Sequence, residues 1–391
     1  MLNKIKNKKI NKDLIDLKLL ASKSVAEATA MPKNLYTSEE ILSLEEDLIF
    51  SKEWMCAGTV NEIPNKGDYL TYSIGKQPIV IIRNNKDEIK AFSNVCLHRL
   101  MPLVEGKGNR KLLTCPYHAW TYTLDGNLKI ARYMDRTSCF NKNNFKLPEV
   151  KCEIFMGWIY VSLNNNISSI SKKLKDLDVI ASPYKMENYI NIISEDHTWE
   201  TNWKLLTENF MEGYHLPVAH PETVGPFINV MDTEFDNRGS FENFTYQIFT
   251  KNADAPVGTA HKENKTLEGK WRHTSILPTI FPSHMFSLAP DHYWYLSLQP
   301  EGVGKVKIRF GAAIAPEVLE DQEDPESFLS ETRKFLHKVQ EEDRFVVEGI
   351  FKGANSPLGL PGPISWLERE NHEFTQYYAR KMTSFNLKEK K

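Results

Sequence analysis

Cysteine is scarce in this sequence, and long hydrophobic runs are missing from it. Five cysteines among 391 residues are too few, and odd in number, for the disulfide framework of a secreted protein. The best apolar run, from Pro78 to Ile82, falls far short of the roughly 18 residues that a membrane-spanning helix requires. We therefore expect no membrane association through a spanning helix.

An excess of positive charge is missing as well. Lys and Arg total 49 against 51 for Asp and Glu, a formal net charge of −2 that disfavours a generic nucleic-acid or anionic-membrane binder. The Lys-rich N-terminus has neither an apolar core segment nor a small-residue cleavage site, so we expect a reduced, cytoplasmic chain. A Gly-rich dinucleotide fingerprint is also absent, so no segment indicates a reductase.

The alternation of apolar and turn residues indicates two structural parts. Short apolar runs predict β-structure from about residue 66 to about 165, with a two-residue hairpin turn at Asp125-Gly126. A helical stretch over about 202–216, β-type segments over about 240–315 and a long helix follow. We therefore expect a small β domain inserted near the front of an α+β domain.

Four metal-binding side chains lie in two tight pairs within the β part. Cys96 and His98 form one pair, and Cys115 and His118 the other. Zinc fingers group Cys with Cys and His with His, whereas here each loop supplies one of each. A 2Fe–2S cluster with two thiolates on one iron and two imidazoles on the other accepts that order, and zinc is the rival occupant. We expect the other cysteines to be core residues: Cys56, Cys139 and Cys152.

A second group of metal-binding side chains follows the helical stretch. Glu212 and His215 are three residues apart, so we expect them to share a helix face. His215 and His220 are five apart, about 140° around an ideal helix, so both reach one metal only if Pro217 ends or kinks it. Two histidines and one carboxylate form the facial triad of non-heme iron oxygenases.

The long C-terminal helix supplies the third ligand of that triad. Asp324 fits its N-cap and Pro325 its first position. Asp343 falls near the centre of its apolar stripe, where an unpaired carboxylate is costly. Glu341 and Glu342 fall outside the stripe, so we expect both on a solvated face. The stripe consists of Phe328, Leu329, Phe335, Leu336, Val339, Val346 and Ile350.

These motifs closely resemble the Rieske non-heme iron oxygenases, the terminal oxygenase alpha subunits of ring-hydroxylating and demethylating systems. The resemblance implies an all-β Rieske domain inserted in a helix-grip catalytic domain with an antiparallel sheet, an α+β chain. It places an N-terminal segment over 1–43, the Rieske domain over 44–165 and the catalytic domain over 166–391. It also implies a homotrimer that receives NAD(P)H electrons from a separate reductase and uses O₂.

The resemblance assigns a role to each site residue. Cys96, His98, Cys115 and His118 would hold the 2Fe–2S cluster, and His215, His220 and Asp343 the mononuclear Fe(II). Glu212 would bridge His215 to His118 of the partner subunit for electron transfer, with Asn209 nearby as a further catalytic residue.

Two departures from the family pattern bear on the substrate. The bridging acid is usually Asp, and Glu212 is similar to members that act on quaternary ammonium compounds. Asn209 precedes it by three residues, one fewer than in naphthalene-type dioxygenases. We therefore favour N-demethylation or hydroxylation of a small quaternary ammonium or N-methyl compound, such as glycine betaine, choline, carnitine or proline betaine.

Three alternatives stay open at this point. Aromatic-ring hydroxylation is the second candidate reaction, and an electron-transfer or ligand-binding Rieske protein is a candidate of another class. A zinc-stabilised binding module is the third. Aromatic strand residues favour core packing over a cation cage, with Tyr293 and Tyr295 on one face of a strand and Trp294 on the other.

Overall fold

The backbone divides into two units, which confirms the expected insertion of a β domain into an α+β domain. A computed structural model describes residues 8–238, 241–253, 255 and 257–383. The smaller unit is formed by Phe50–Lys172, and the larger by the described residues up to Ile49 and from Lys173 onward. Among the described residues, no helix combines the length and apolar character needed to cross a membrane.

The smaller unit is built from two antiparallel sheets. Its β-branched runs form strands whose buried side chains surround Cys96 and Cys115 in one apolar core. The strands are β1 (Met55–Thr59), β2 (Asp68–Ile74), β3 (Gln77–Arg83), β4 (Ile89–Ser93), β5 (Lys107–Asn109), β6 (Leu113–Thr114), β7 (Thr121–Tyr122), β8 (Leu128–Ile130), β9 (Glu149–Phe155) and β10 (Trp158–Ser162). Strand order is β1-β10-β9-β4-β3-β2-β5 in the seven-stranded sheet and β6-β7-β8 in the other.

The hairpin at Asp125-Gly126 is present, but its turn is longer than two residues. Tyr122 pairs with Leu128, and the Thr123 amide donates to the Asn127 carbonyl at 2.9 Å. Gly126 has a φ of 83°, a left-handed conformation that glycine adopts without strain. Three residues therefore form the turn, the next most common hairpin connection after two.

The larger unit places helices against an antiparallel sheet, as the α+β prediction requires. The strands are β11 (Ile190–Trp199), β12 (Glu234–Phe235), β13 (Phe244–Thr250), β14 (Thr274–Ile280), β15 (His284–Leu288), β16 (His292–Gly302) and β17 (Lys305–Ile314), in the order β11-β17-β16-β15-β14-β13-β12. Among the described residues, the α-helices are α1 (Lys8–Ala21), α2 (Asn34–Thr37), α3 (Glu39–Glu45), α4 (Ile170–Lys173), α5 (Lys175–Ala181), α6 (Trp203–Phe210), α7 (Leu216–Ala219), α8 (Pro316–Glu320), α9 (Pro325–Ala354) and α10 (Arg369–Thr383).

The predicted helix over 202–216 is wrong in its second half. Helix α6 ends at Phe210, five unwound residues follow, and α7 starts at Leu216. Pro217 lies in the first turn of α7, where its missing N–H is not required. The break therefore precedes His215 and does not fall between the two histidines.

Helix α9 confirms the predicted start but shifts the predicted apolar face. The Asp324 carboxylate accepts from the Ser327 amide at 3.0 Å, an N-cap bond ahead of Pro325. Phe335 and Ile350 are exposed, so their inclusion in the buried stripe is wrong. The buried residues of the helix are Leu336, Val339, Gln340, Asp343 and Val347.

A buried network of ionisable side chains joins α2, α3 and α6 in the larger unit. Lys204 lies 2.5 Å from the Glu45 carboxylate, which also accepts from the Trp203 indole at 2.8 Å. The Tyr36 hydroxyl donates to Glu208 at 2.9 Å. Burial raises the pKa of Glu208 from 4.5 to about 8, although Tyr36 and Lys204 oppose the shift. Glu208 therefore holds its proton in the folded chain at neutral pH.

Replacing Glu208 by Gln should stabilise the fold increasingly as the pH rises. Between the unfolded and folded pKa values the folded state alone keeps the proton, so wild-type stability falls as pH rises through about 8. Glutamine still accepts from Tyr36 but cannot ionise. We expect little difference in Tm near about pH 5 and a higher Tm for Glu208→Gln near about pH 8. Glu39→Gln, which changes an exposed glutamate, is the control. If the Tm difference between Glu208→Gln and wild type were the same at both pH values, Glu208 would not be the group whose proton is retained on folding.

Candidate metal centres

The two Cys–His loops of the smaller unit have the same backbone conformation. The Cys96 amide donates to the Met101 carbonyl at 2.9 Å, and the Cys115 amide to the Trp120 carbonyl at 2.8 Å. The residue four positions after each cysteine is left-handed, with φ of 62° at Leu100 and 57° at Ala119. Each loop therefore folds back over its own cysteine and projects its histidine outward.

The four predicted cluster ligands differ in their burial. Cys96 and Cys115 are buried, whereas His98 and His118 are exposed with ring centroids 4.6 Å apart. The Trp120 ring stacks on His98 at 5.0 Å and limits its movement. Two thiols inside and two imidazoles outside match the donor set of a cluster with one sulfur-ligated and one nitrogen-ligated iron.

A buried tyrosine supports the inner, thiol side of this site. The Leu97 amide donates to the Tyr122 hydroxyl at 3.0 Å, and the same hydroxyl lies 3.4 Å from Cys96 Sγ. Burial, with the neighbouring Cys115 thiol, raises the pKa of Cys96. A bound iron reverses such a shift, because a coordinating thiol is deprotonated. The sequence prediction did not include Tyr122. Its position seven residues after Cys115, on β7, was the available signal.

The remaining cysteines differ from one another. Cys56 is buried as expected, Cys152 is partly buried and Cys139 is exposed, so the core prediction for Cys139 is wrong. None of the three belongs to the two loops.

In the larger unit, His215, His220 and Asp343 converge. Their donor atoms all lie within 4.8 Å of one another. Asp343 Oδ1 lies 3.1 Å from His220 Nε2 and 3.6 Å from His215 Nε2. Two imidazoles and one carboxylate are the donors that suit a non-heme iron with open positions.

Glu212 and Asn209 lie beside this triad. The His215 Nδ1 donates to Glu212 Oε1 at 2.6 Å, and the His215 amide donates to Glu212 Oε2 at 3.0 Å. The Asn209 amide donates to Asp343 Oδ1 at 2.7 Å. Glu212 and His215 meet in the unwound segment after α6, so the expectation of a shared helix face is wrong although the contact itself is present.

Glu342 overturns the prediction of a solvated face. Its side chain is 10% exposed and accepts from His220 Nδ1 at 2.8 Å and from the Thr223 hydroxyl. Glu341, its neighbour on α9, is exposed as expected. The helical periodicity of α9 could not reveal this contact, because the partners of Glu342 come from a segment about 120 residues earlier in the chain.

The site carries more negative than positive charge, and a divalent cation would balance the difference. Burial opposes protonation of His215, but hydrogen bonds to Asp343 and Glu212 outweigh it and raise its pKa to about 10. Hydrogen bonds from His215 and His220 lower the pKa of Asp343 to about 2, although burial opposes this shift. Three carboxylates around two imidazoles therefore need positive charge, and protons supply it when a metal does not.

A glycine after His220 permits the turn that aims this histidine. The Gly225 amide donates to the His220 carbonyl at 3.0 Å. A Cβ at Gly225 would lie 2.5 Å from that carbonyl oxygen and 2.7 Å from the Leu216 oxygen. Any side chain there would push the backbone of His220 away. Sequence analysis did not single out Gly225.

The aromatic residues of β16 alternate as predicted. Tyr293 and Tyr295 are buried, and Tyr293 stacks on Tyr189 at 5.8 Å. Trp294 on the opposite face meets the Phe210 ring edge-on at 5.3 Å, at the end of α6. Tyr293 and Tyr295 are thus core residues, and Trp294 supports the helix that precedes the triad.

Comparison with known families identifies both units. Residues 186–384 match the model of the ring hydroxylating alpha subunit (catalytic domain), and residues 53–141 match the Rieske 2Fe–2S domain. The first match covers more than half of the chain. A Rieske domain implies a 2Fe–2S cluster, and this catalytic domain implies a mononuclear iron.

Curated relatives extend the match at the level of sequence. The glycine betaine monooxygenase oxygenase subunit of Chromohalobacter salexigens is 39% identical over 207 residues, 52% of this chain and 46% of the relative. The carnitine monooxygenase oxygenase subunit of Acinetobacter pittii is 34% identical over 200 residues, 50% of this chain and 53% of the relative. The chain thus spans about half the length of the curated relatives it matches.

Solved structures share the fold. The quaternary ammonium Rieske monooxygenase CntA in complex with L-carnitine gives a TM-score of 0.77 at 24% identity, covering 94% of this chain and 99% of that one. Naphthalene 1,2-dioxygenase from Rhodococcus sp. bound to indole gives 0.80 at 19% identity, covering 100% of both chains. These likenesses confirm the predicted combination of a Rieske domain with an antiparallel-sheet catalytic domain.

Replacing Glu342 by Ala should weaken metal binding at the triad. The substitution removes the acceptor that fixes His220 Nδ1, and loss of such an outer partner costs about 10- to 100-fold in metal affinity. Fe(II) affinity is measured by competition with a chelator. Glu341→Ala, one residue away and exposed, is the matched control. Equal Fe(II) affinity in the two variants would show that Glu342 does not orient the ligand.

Proposed function

The chain belongs to the ring-hydroxylating oxygenase alpha-subunit family, and from this membership we propose that it is the oxygenase subunit of a Rieske non-heme iron monooxygenase. The observation that carries the proposal is the convergence of His215, His220 and Asp343, with a separate glutamate on each histidine. An electron carrier or binding protein has no use for a triad with open positions. The donor set therefore favours an enzyme over the alternative of another class.

We assign the cofactors to the residues that sequence and geometry single out. Cys96, His98, Cys115 and His118 would hold the 2Fe–2S cluster, and His215, His220 and Asp343 the mononuclear iron. When bound, the cluster would supply single electrons, and the iron would activate O₂ for insertion into a C–H bond. The mixed thiol and imidazole donors of the first set favour this cluster over zinc.

The residues around the triad fix the orientation of its ligands. Glu212 keeps the proton of His215 on Nδ1, and Glu342 does the same for His220, so both Nε2 atoms face Asp343. The Asn209 amide holds the Asp343 carboxylate from the other side. The donor atoms are therefore already directed at one point, and a cation that binds there would replace protons on the imidazoles.

Electrons are proposed to reach the site from another copy of the chain. Glu212 contacts His215, and His118 is exposed, which suits contact with a neighbouring subunit. We therefore propose a homotrimer in which Glu212 bridges His215 to His118 of the partner subunit. A separate reductase would deliver the NAD(P)H electrons, since the sequence holds no dinucleotide fingerprint of its own. We propose the cytoplasm as the place of this reaction.

The proposed substrate is a small quaternary ammonium or N-methyl compound. Support comes from the curated relatives, named for glycine betaine and carnitine, and from Glu212 in place of the usual Asp. Insertion of one oxygen atom into an N-methyl C–H bond would give a hemiaminal. Its collapse would release formaldehyde and the demethylated amine.

A single-turnover assay on reduced, iron-replete protein tests this reaction. Glycine betaine, choline, carnitine and proline betaine are each mixed with enzyme and O₂, and formaldehyde is measured. We expect formaldehyde from at least one of them, up to about one equivalent per active site, and none without O₂. Benzoate-type aromatics are the comparison, and hydroxylated arene without formaldehyde would favour ring hydroxylation instead.

Replacing Glu212 by Gln tests the electron path. Glutamine can still accept from His215 Nδ1 but carries no charge, so both metal centres should stay loaded. A hydrogen bond to a charged group contributes about 1.5–3 kcal/mol, so we expect oxidation of the reduced cluster to slow about tenfold or more in substrate-bound enzyme. Stopped-flow absorbance of the cluster measures the rate. Wild-type kinetics in this variant would remove Glu212 from the path.

A further inference from the structure

A second cluster of metal-binding side chains lies in the larger unit, apart from the triad. Glu195 and His197 on β11 and His337 on α9 bring one carboxylate oxygen and two imidazole nitrogens within 4.8 Å of one another. The function proposed above does not involve these residues. Two imidazoles and one glutamate are also the ligands of a known class of zinc site, with a fourth position open to water.

The fold brings these three side chains to one place. Residues two apart on a strand share a face, so Glu195 and His197 point the same way. They pair with Phe310 and Ile308 on β17, both buried, on the face of the sheet that packs against α9. The helix then adds His337 from above. The site is therefore built from two elements and does not depend on one flexible segment.

A buried aromatic ring supports both imidazoles. The Phe310 ring centroid lies 6.0 Å from that of His197 and 5.9 Å from that of His337. The two imidazole rings are 6.2 Å apart at 76°. Because the Phe310 ring restricts both imidazole rings, less conformational entropy is lost when a bound metal orders them.

The spacing of the donor atoms suits a small tetrahedral cation. His197 Nε2 lies 3.1 Å from Glu195 Oε2, and His337 Nε2 lies 3.6 Å from Glu195 Oε1. Ligand bonds of about 2.0–2.1 Å in a tetrahedron place donor atoms roughly 3.3–3.4 Å apart. In the triad both imidazoles meet one oxygen, Asp343 Oδ1, at 3.1 and 3.6 Å, whereas here each imidazole meets a different oxygen of Glu195.

The two sites differ in their access to solvent. The side chains of Glu195, His197 and His337 are 43%, 35% and 38% exposed, whereas those of the triad are 15% exposed or less. An ion can therefore enter and leave the outer cluster from water. The Glu195 carboxylate already contacts both imidazoles, the two groups that a bound metal would link to it.

We propose that Glu195, His197 and His337 form a second divalent metal site of zinc type, occupied by a borderline transition metal with water as its fourth ligand. The ion would tie β11 to α9. His337 precedes Asp343 by six residues, about 9 Å along the helix axis, so the bound ion would also fix the helix that carries the triad carboxylate. Magnesium, which prefers oxygen ligands in octahedral geometry, would not replace it.

The test measures zinc retained by the iron-replete full-length protein. Wild type, His337→Gln and Glu195→Gln are incubated with zinc chloride, desalted and analysed for metal, and their Tm is recorded with zinc and with magnesium. We expect wild type to retain about one more zinc per chain than either variant, with affinity reduced about tenfold or more by one lost ligand. Zinc should raise the Tm of wild type but not that of His337→Gln or Glu195→Gln. Magnesium should raise the Tm of none of the three.

The controls separate this site from the triad. His261→Gln removes an imidazole that pairs with Asp321 and belongs to neither group of candidate metal ligands, so this variant should bind zinc as wild type does. Iron content and the visible spectrum of the 2Fe–2S cluster should be the same in all variants, which shows that each is folded. Equal zinc retention and equal Tm shifts in wild type, His337→Gln and Glu195→Gln would overturn the proposal.

Discussion

The structure of the catalytic unit depends on one buried carboxylate, Asp343, held between two imidazoles. An isolated ionised carboxylate is very costly inside a protein, so Asp343 must be paired. It joins α9 to His215, which lies between α6 and α7, and to His220, which directly follows α7, and Asn209 holds it from α6. These contacts bring together two parts of the chain that lie far apart in sequence, the segment over 209–220 and α9.

Each imidazole is fixed on its far side by its own glutamate. Glu212 accepts from His215 Nδ1, and Glu342 accepts from His220 Nδ1. The arrangement is the carboxylate–histidine–metal pattern, in which the outer carboxylate sets the tautomer and the ring orientation. The excess of negative charge that results is balanced by protons in the metal-free chain, as the raised pKa of His215 and the lowered pKa of Asp343 indicate.

The candidate ligands could be predicted from the sequence because donor identity and spacing are local properties. The two Cys–His pairs and Asp343 on a buried stripe needed no tertiary information. Glu342 was missed because its partners His220 and Thr223 lie on another segment, and the end of α6 at Phe210 was missed because apolar periodicity continues past it. The substrate is a different question, since the same fold serves enzymes named for carnitine and for naphthalene.

Anomalous diffraction at the iron absorption edge would locate the iron atoms bound by this chain. Crystals of protein grown with iron and sulfide are measured just above and just below the edge. We expect iron at two separate places in each chain, a pair of atoms among Cys96, His98, Cys115 and His118 and a single atom among His215, His220 and Asp343. Iron absent from the second place, or zinc at the first, would contradict this expectation.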